Sequence, residues 1–175
     1  LCSFAVGISD RKHVVTPELK EAGDYLYLIE VKPDKNNMPN YAMLQKVYAT
    51  LCRAMGSGDI RAAWAVGFGG VAEAVSKMAF GNRMVVVFDG KLTVDELFEK
   101  KYGAIVVEVE NCGCLPPIAR KIGRVTADAT FVLNDEKITI DEMVASWTGR
   151  LEDVFPTKSK TAGGQSESIS NKTLS

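Results

Sequence analysis

Between residues 60 and 82 the chain passes from a short apolar run, Ala62 to Val66, through Gly67-Phe68-Gly69-Gly70 into a patterned stretch. There Val71, Ala74, Val75, Met78 and Ala79 recur at i, i+3, i+4, i+7 and i+8, which draws one apolar face on a helix. The stretch therefore reads as strand, glycine turn, helix, closed by Gly81-Asn82. Glu73 and Lys77 stand at i, i+4 on its polar face and predict a surface ion pair. Tyr41, Leu44, Tyr48, Leu51 and Met55 predict a second amphipathic helix, with Asn40 as its N-cap and Gly56-Ser57-Gly58 as its stop. Cys52 falls inside this apolar pattern and reads as a small core residue.

Strands are predicted where β-branched and aromatic residues cluster without helical spacing. These are Phe4 to Ile8, Tyr25 to Val31, Arg83 to Phe88, Tyr102 to Val109 and Gly123 to Thr126, and a hairpin joins Thr130–Leu133 to Lys137–Ile140 around Asn134-Asp135-Glu136. Asp89-Gly90 is a turn, and Gly103 marks a close backbone approach. Thr93-Val94-Asp95-Glu96 and Thr139-Ile140-Asp141-Glu142 both have the capping-box form. The first opens a short helix with Val94, Leu97 and Phe98 on its apolar side. The second opens a helix whose face, Ile140, Met143, Val144, Trp147 and Leu151, should dock on the sheet.

Strands outnumber helices and alternate with them irregularly, which argues for an α+β domain: a mixed β-sheet packed with helices. The chain of 175 residues is long enough for one such domain with a real core. The domain is expected over 1–156. Residues 157–175 are rich in Ser, Thr, Gly and Lys and read as linker or disordered tail. Leu1 to Gly7 lacks an initiator Met and a basic leader, and resembles the interior of a strand taken from a longer chain, so a domain fragment is expected.

Charge narrows the partners. A formal net charge of −1 offers no electrostatic footprint for nucleic acid, and no apolar run approaches a membrane span. Cys2, Cys52, Cys112 and Cys114 fit free thiols in a reducing cytosol, hence a cytoplasmic protein. Cys112 and Cys114, one residue apart, have a poor spacing for a zinc site, and His13 is the only histidine, so no metal ligands are assigned.

The candidate chemistry lies in the glycine turn. Glycines that open a helix place unpaired N–H groups and the positive end of the helix dipole at one point, which suits a phosphate. Gly67, Gly69 and Gly70 are the candidate phosphate-binding residues. The basic run containing Arg11 and Lys12 supplies further possible phosphate contacts. A tight strand-to-helix turn with no ligand is the alternative reading. The spacing is not G-x-G-x-x-G, and no acidic ribose partner follows a next strand, so a dinucleotide site is not expected.

Four stretches in order resemble a known family: SDRKHVVTPELK with GDYLYLIEV, AAWAVGFGGVAEAVSKMAFGN, LTVDELFEKKYGAIVVEV, and IGRVTAD with SWTGRLEDVFPTK. Together they resemble phosphoribosylformylglycinamidine synthase over roughly Phe4 to Lys158, and most of all its last synthase domain, the one before the glutaminase domain. The resemblance implies a fold like the C-terminal domain of aminoimidazole ribonucleotide synthetase. It implies membership of a purine-biosynthetic ligase that uses ATP and Mg to replace an amide oxygen with ammonia from glutamine. Implied partners are the sister synthase domains, the glutaminase domain and a phosphorylated small molecule. Selenophosphate synthetase is a sibling with the same fold.

One departure bears on chemistry. Relatives commonly carry histidine or acidic residues in a pattern like H-D-x-S-D-G-G before the paired glycines. Here the stretch is Trp64-Ala65-Val66-Gly67-Phe68-Gly69-Gly70, with no ionisable side chain. Such a turn supplies neither a base nor a metal ligand, so no catalytic residue is assigned. Two readings follow: a domain lending turn contacts to a phosphorylated ligand, or a structural module with a degenerate pseudo-site. Basic side chains near the turn would favour the first, and Phe68 plugging it the second.

Overall fold

A computed structural model of the chain describes residues 2–89, 92–133 and 136–156. Gly90 of the expected turn, Asn134 and Asp135 of the expected hairpin, and the stretch 157–175 lie outside the described residues. In order the elements are β1 (Tyr25–Ile29), α1 (Tyr41–Ser57), β2 (Ile60–Ala65), α2 (Gly70–Phe80), β3 (Val85–Phe88) and α3 (Val94–Phe98). Then come β4 (Ile105–Val109), β5 (Arg120–Thr126), β6 (Thr130–Leu133), β7 (Glu136–Thr139) and α4 (Ile140–Gly149).

The strands form one seven-stranded sheet in the order β2-β4-β1-β5-β3-β6-β7. Every pairing is antiparallel except that of β3 with β6, so the expected mixed α+β sheet is what the chain forms. The two faces follow the strand period of two. Leu26 and Leu28 of β1 and Val106 of β4 point to a core built with Val71, Ala74, Val75, Met78 and Ala79 of α2, together with Leu97 of α3 and Ile140 of α4. Ile29, Val107 and Val109 point the other way, to Val47, Leu51 and Ala54 of α1. Each fully buried Val, Leu or Met contributes about 1.5–3 kcal/mol. α1 packs on β2, and on this second face the core holds residues of β2, β4 and β1 but none of β3, β6 or β7.

Local signals hold where they are local. Met43 N–H donates to the Asn40 side chain at 3.1 Å, and Gly58 ends α1 in the left-handed conformation at φ 84°. Both capping boxes form with reciprocal bonds, at Thr93/Glu96 and Thr139/Glu142.

Several expectations are corrected. Phe4, Val6 and Ile8 are 93, 97 and 104% exposed and belong to no strand: alternation alone makes no strand without a neighbour to bond its backbone. Cys52 is exposed, as is Tyr41: α1 buries Val47, Leu51 and Ala54, with Tyr48 and Met55 of the expected face half-buried against the same core, and this seam leaves Tyr41 and Cys52 outside it. The fourth helix buries Ile140 and half-buries Met143 and Val144, whereas Trp147 and Leu151 stay exposed, Trp147 lying with its ring 5.2 Å from that of Phe80. In the short third helix only Leu97 is buried, Val94 and Phe98 being exposed. β5 begins three residues earlier than the expected Gly123 start.

Candidate functional site

The glycine turn follows the last residues of β2, whose path is fixed by the Val66 N–H bond to Ala104 C=O at 2.9 Å. Gly70 N–H then donates back to Gly67 C=O at 3.3 Å, closing the turn. Gly70 has φ 70°, and a Cβ there would lie 2.4 Å from Leu97 O and 2.9 Å from Glu99 O. Only glycine meets both demands, so at this position the residue type is set by close packing of α2 against the end of α3.

Gly69 carries the N–H that an anion would use, and the chain itself supplies the anion. Glu73 Oε2 accepts that N–H at 2.8 Å, and Lys77 Nζ donates to Glu73 Oε1 at 2.6 Å. The same Oε2 lies 3.5 Å from where a Cβ on Gly67 would stand. The three expected phosphate-binding glycines are thus brought together, around an internal carboxylate. The Lys77 hydrogen bond first, and the Gly69 N–H second, hold the Glu73 carboxyl below the usual carboxylate range. A glutamate in the first turn of a helix also meets the positive end of its dipole. Phe68 does not plug the turn: it is 72% exposed, with Lys100 Nζ 4.0 Å from its ring centroid.

Arg11 does not join this group. It sits in a short 3-10 turn, Arg11–His13, packed beside α1, with His13 against Gly56 in the last turn of that helix. β2 starts from that end and delivers the glycine turn at its other end, roughly 17 Å away for six residues in strand conformation. Lys12 shares the same 3-10 turn, and its side chain lies outside the described ones.

Charged groups that sequence reasoning passed over line a cleft of about 560 Å³ beside α3. Its wall holds Lys101, 8% exposed, whose Nζ is 2.5 Å from Glu99 and 3.4 Å from Glu30, and Arg120, 3.0 Å from Glu96. Burial alone would depress the Lys101 ammonium, but the Glu99 hydrogen bond and the two carboxylate charges outweigh it and raise its pKa. Glu108 is also buried, and Asp24 meets Arg61 Nε at 3.3 Å. The signal for Glu108 was visible: a lone charge in the apolar run Ile105 to Val109 requires an internal partner.

With Glu73 in this position the turn does not present a free N–H group to a magnesium-bound nucleotide. The one N–H shown to point into it is bonded to Glu73, whose negative charge opposes a phosphate, and the turn has no carboxylate or imidazole left to hold a cation. Among the described residues no group of three or more His, Cys, Asp or Glu could hold a metal ion. Among them, too, no helix is long and apolar enough to cross a membrane.

No protein-family model matches the chain. Its fold is nevertheless found within larger solved proteins. Thermotoga maritima PurL complexed with ATP matches with a TM-score of 0.62 at 9% identity, over 76% of this chain and 27% of that one. PurLQS from the same organism matches at 0.60 and 9% identity, over 78% and 28%. Phosphoribosylformylglycinamidine synthase II from Thermotoga maritima matches at 0.59 and 11% identity, over 75% and 27%. The chain therefore spans a little over a quarter of the length of these structures and shares their fold over that span.

Proposed function

We propose that the chain is a synthase domain of an ATP-dependent ligase of the PurL kind, one that converts formylglycinamide ribonucleotide to formylglycinamidine ribonucleotide in the cytoplasm. ATP, Mg and ammonia from a glutaminase domain would be handled by other parts of such an enzyme. This domain would contribute packing against its sister synthase domains, with its glycine turn a pseudo-site closed from within. The observation that carries the reading is the 2.8 Å bond from Gly69 N–H to Glu73, which puts a carboxylate of the chain where a phosphate oxygen would sit. The shared fold and the ordered sequence resemblance support the choice of enzyme.

A second reading keeps Gly67, Gly69 and Gly70 as phosphate ligands, with Glu73 swung aside and Lys77 or Lys100 countering the phosphate charge. The nearness of those two lysines to the turn favours it.

Site-resolved NMR of the 15N-labelled chain with Mg·ADP separates the two. On the first reading the Gly69 amide signal does not move, and the chain alone performs no amide-to-amidine conversion. A saturable Gly69 shift, abolished by Gly69→Asp, would establish the second. Conversion catalysed by the chain alone would overturn both.

A further inference from the structure

The register of β5 against β1 is broken once. Leu26 pairs with Gly123, but Tyr27 pairs with Lys121, leaving Ile122 as the extra residue of a β-bulge. In a regular strand, side chains three residues apart point to opposite faces. The bulge cancels that alternation, so Lys121 and Arg124 emerge on the same face, beside Tyr27 and Tyr25 respectively. Bulges commonly re-aim side chains in this way near functional surfaces.

The result is two cations gathered on one ring. Lys121 Nζ lies 4.5 Å and Arg124 Cζ 5.6 Å from the centroid of Tyr25. Arg124 is held in place by its Nε–H bond to Gly23 C=O at 3.0 Å, which leaves the terminal nitrogens of its fork directed elsewhere. Lys121 has Asp89 at 3.7 Å, too long for a hydrogen bond. Arg124 makes no ion pair with a carboxylate among the described residues. Both cations are exposed, and they stand on the sheet face that α1 leaves open. Across that face Arg124 is in register with half-exposed Val87, which pairs with Val132, which in turn pairs with Lys137.

Two like charges within 5.6 Å of one ring centroid, both attracted by the tyrosine quadrupole, have an electrostatic cost that a doubly charged anion would relieve. We propose that Lys121 and Arg124 form a binding site for a phosphate dianion. Arg124 offers a planar fork that matches phosphate oxygens, and Lys121 a mobile point charge. The site is independent of the glycine turn, since β5 and α2 hold the two on different elements.

The test is titration of the 15N-labelled chain with inorganic phosphate, and separately with glycerol 2-phosphate, at constant ionic strength. The Arg124 Nε–Hε signal and the Gly23 and Arg124 amides are followed. Saturable shifts confined to these groups are expected, lost in the Lys121→Ala/Arg124→Ala double variant. Arg124→Lys should weaken binding about tenfold, the equivalent of one charge-assisted hydrogen bond. Stronger binding of inorganic phosphate would mark a free-ion site, and stronger binding of glycerol 2-phosphate an esterified ligand. No saturable shift up to tens of millimolar, shifts retained in the double variant, or equal shifts with acetate would overturn the proposal. Both substitutions fall on exposed side chains, so the fold is expected to survive them, which the unchanged remainder of the spectrum would verify.

Discussion

Both carboxylate oxygens of Glu108 accept the backbone N–H of Lys20, at 3.0 and 2.9 Å, and one of them also accepts the Glu21 N–H at 2.9 Å. A fully buried glutamate of β4 thereby ties down the segment that leads into β1. Leu19 of that segment is itself core, and its N–H is bonded to Met78 C=O at 2.9 Å. Removing the carboxylate would strand two N–H groups away from water, at roughly 1–3 kcal/mol each. Glu108→Ala should therefore destabilise the chain by about 3 kcal/mol in urea unfolding, and increase amide exchange at Lys20 and Glu21 ahead of the β1 amides. An effect below about 1 kcal/mol would mean that the segment is held by Leu19 alone.

The same residue sets a pH dependence. Burial pushes the Glu108 carboxyl up, against the pull of the Glu21 and Lys20 N–H bonds, and burial likewise raises Asp24. A raised folded-state pKa means that the native state binds more protons than the unfolded one between the two values. From these two groups, stability should fall as pH rises through that interval, from the ordinary carboxylate range upward. Unfolding free energies from pH 4 to 7 should show a smaller decline in Asp24→Asn than in the unaltered chain.

Two glycines of the turn should respond differently to alanine. Gly70→Ala meets backbone oxygens at 2.4 and 2.9 Å and a positive φ, none of which a rotamer change relieves. A loss of about 3 kcal/mol or more is expected. Gly69→Ala has an ordinary φ of −85°, and its Cβ meets Glu73, 2.7 Å from Cβ and 2.8 Å from Oε2. Rotation of Glu73 moves the carboxylate away but not its Cβ, so the first turn of α2 must also shift slightly, and the cost should be the lost hydrogen bond plus that strain, roughly 2–3 kcal/mol and still below that of Gly70→Ala. Thermal unfolding of the two variants checks the order.

How far these features could be read in advance depends on the range of the interaction behind each. The apolar face of α2 and the caps at Asn40, Thr93 and Thr139 were legible because the groups involved lie within a few turns of one another. Phe4 to Ile8 has the composition of a strand, but a strand is a relation between two segments, and no pattern in one of them reveals its neighbour. On α1, Leu51, Tyr48 and Met55 of the expected face do meet the core, but Tyr41 does not, and Val47 and Ala54 look no more apolar than Tyr41 until the sheet shows where its edge falls. At the candidate site the glycines were legible and their occupant was not. Glu73 looked like the outer half of a surface pair, and only the folded turn shows its second oxygen on Gly69. Lys101 reaches Glu30 and Arg120 reaches Glu96 across separations of 71 and 24 residues, where spacing carries no signal. The convergence of Lys121 and Arg124 depends on a bulge visible only in the pairing register.

Glu73 should behave oppositely to Glu108 on the acid side. The Lys77 bond, then the Gly69 N–H, lower its pKa, so its contribution is complete above the ordinary carboxylate pKa and is lost as pH falls through the lowered value. Glu73→Gln should be less stable than the unaltered chain at pH 7, with the difference shrinking below about pH 4. A constant difference across that range would show that Glu73 acts by packing and not by charge. At pH 7 the same variant keeps a side-chain oxygen to accept Gly69 N–H, so the effect should be modest, about 1 kcal/mol.

The thiols give a prediction that separates the expected from the observed helix face. Cys2, Cys52 and Cys112 are exposed, while Cys114 is half-buried, its thiol pushed up by burial first and by the Asp59 charge second. Thiolate is the reactive form, so labelling of the native chain with an aromatic disulfide at pH 7.5 should consume three thiols quickly and the fourth slowly. Mass spectrometry of the digest should place Cys52 among the fast group and Cys114 alone in the slow one. Had Cys52 faced the sheet from α1, it would be protected until unfolding, and the Cys52→Ser variant would leave the fast phase unchanged. The geometry requires instead that this variant lose one third of the fast amplitude, with no measurable change in stability, because the side chain touches solvent and not the Val47–Leu51–Ala54 seam.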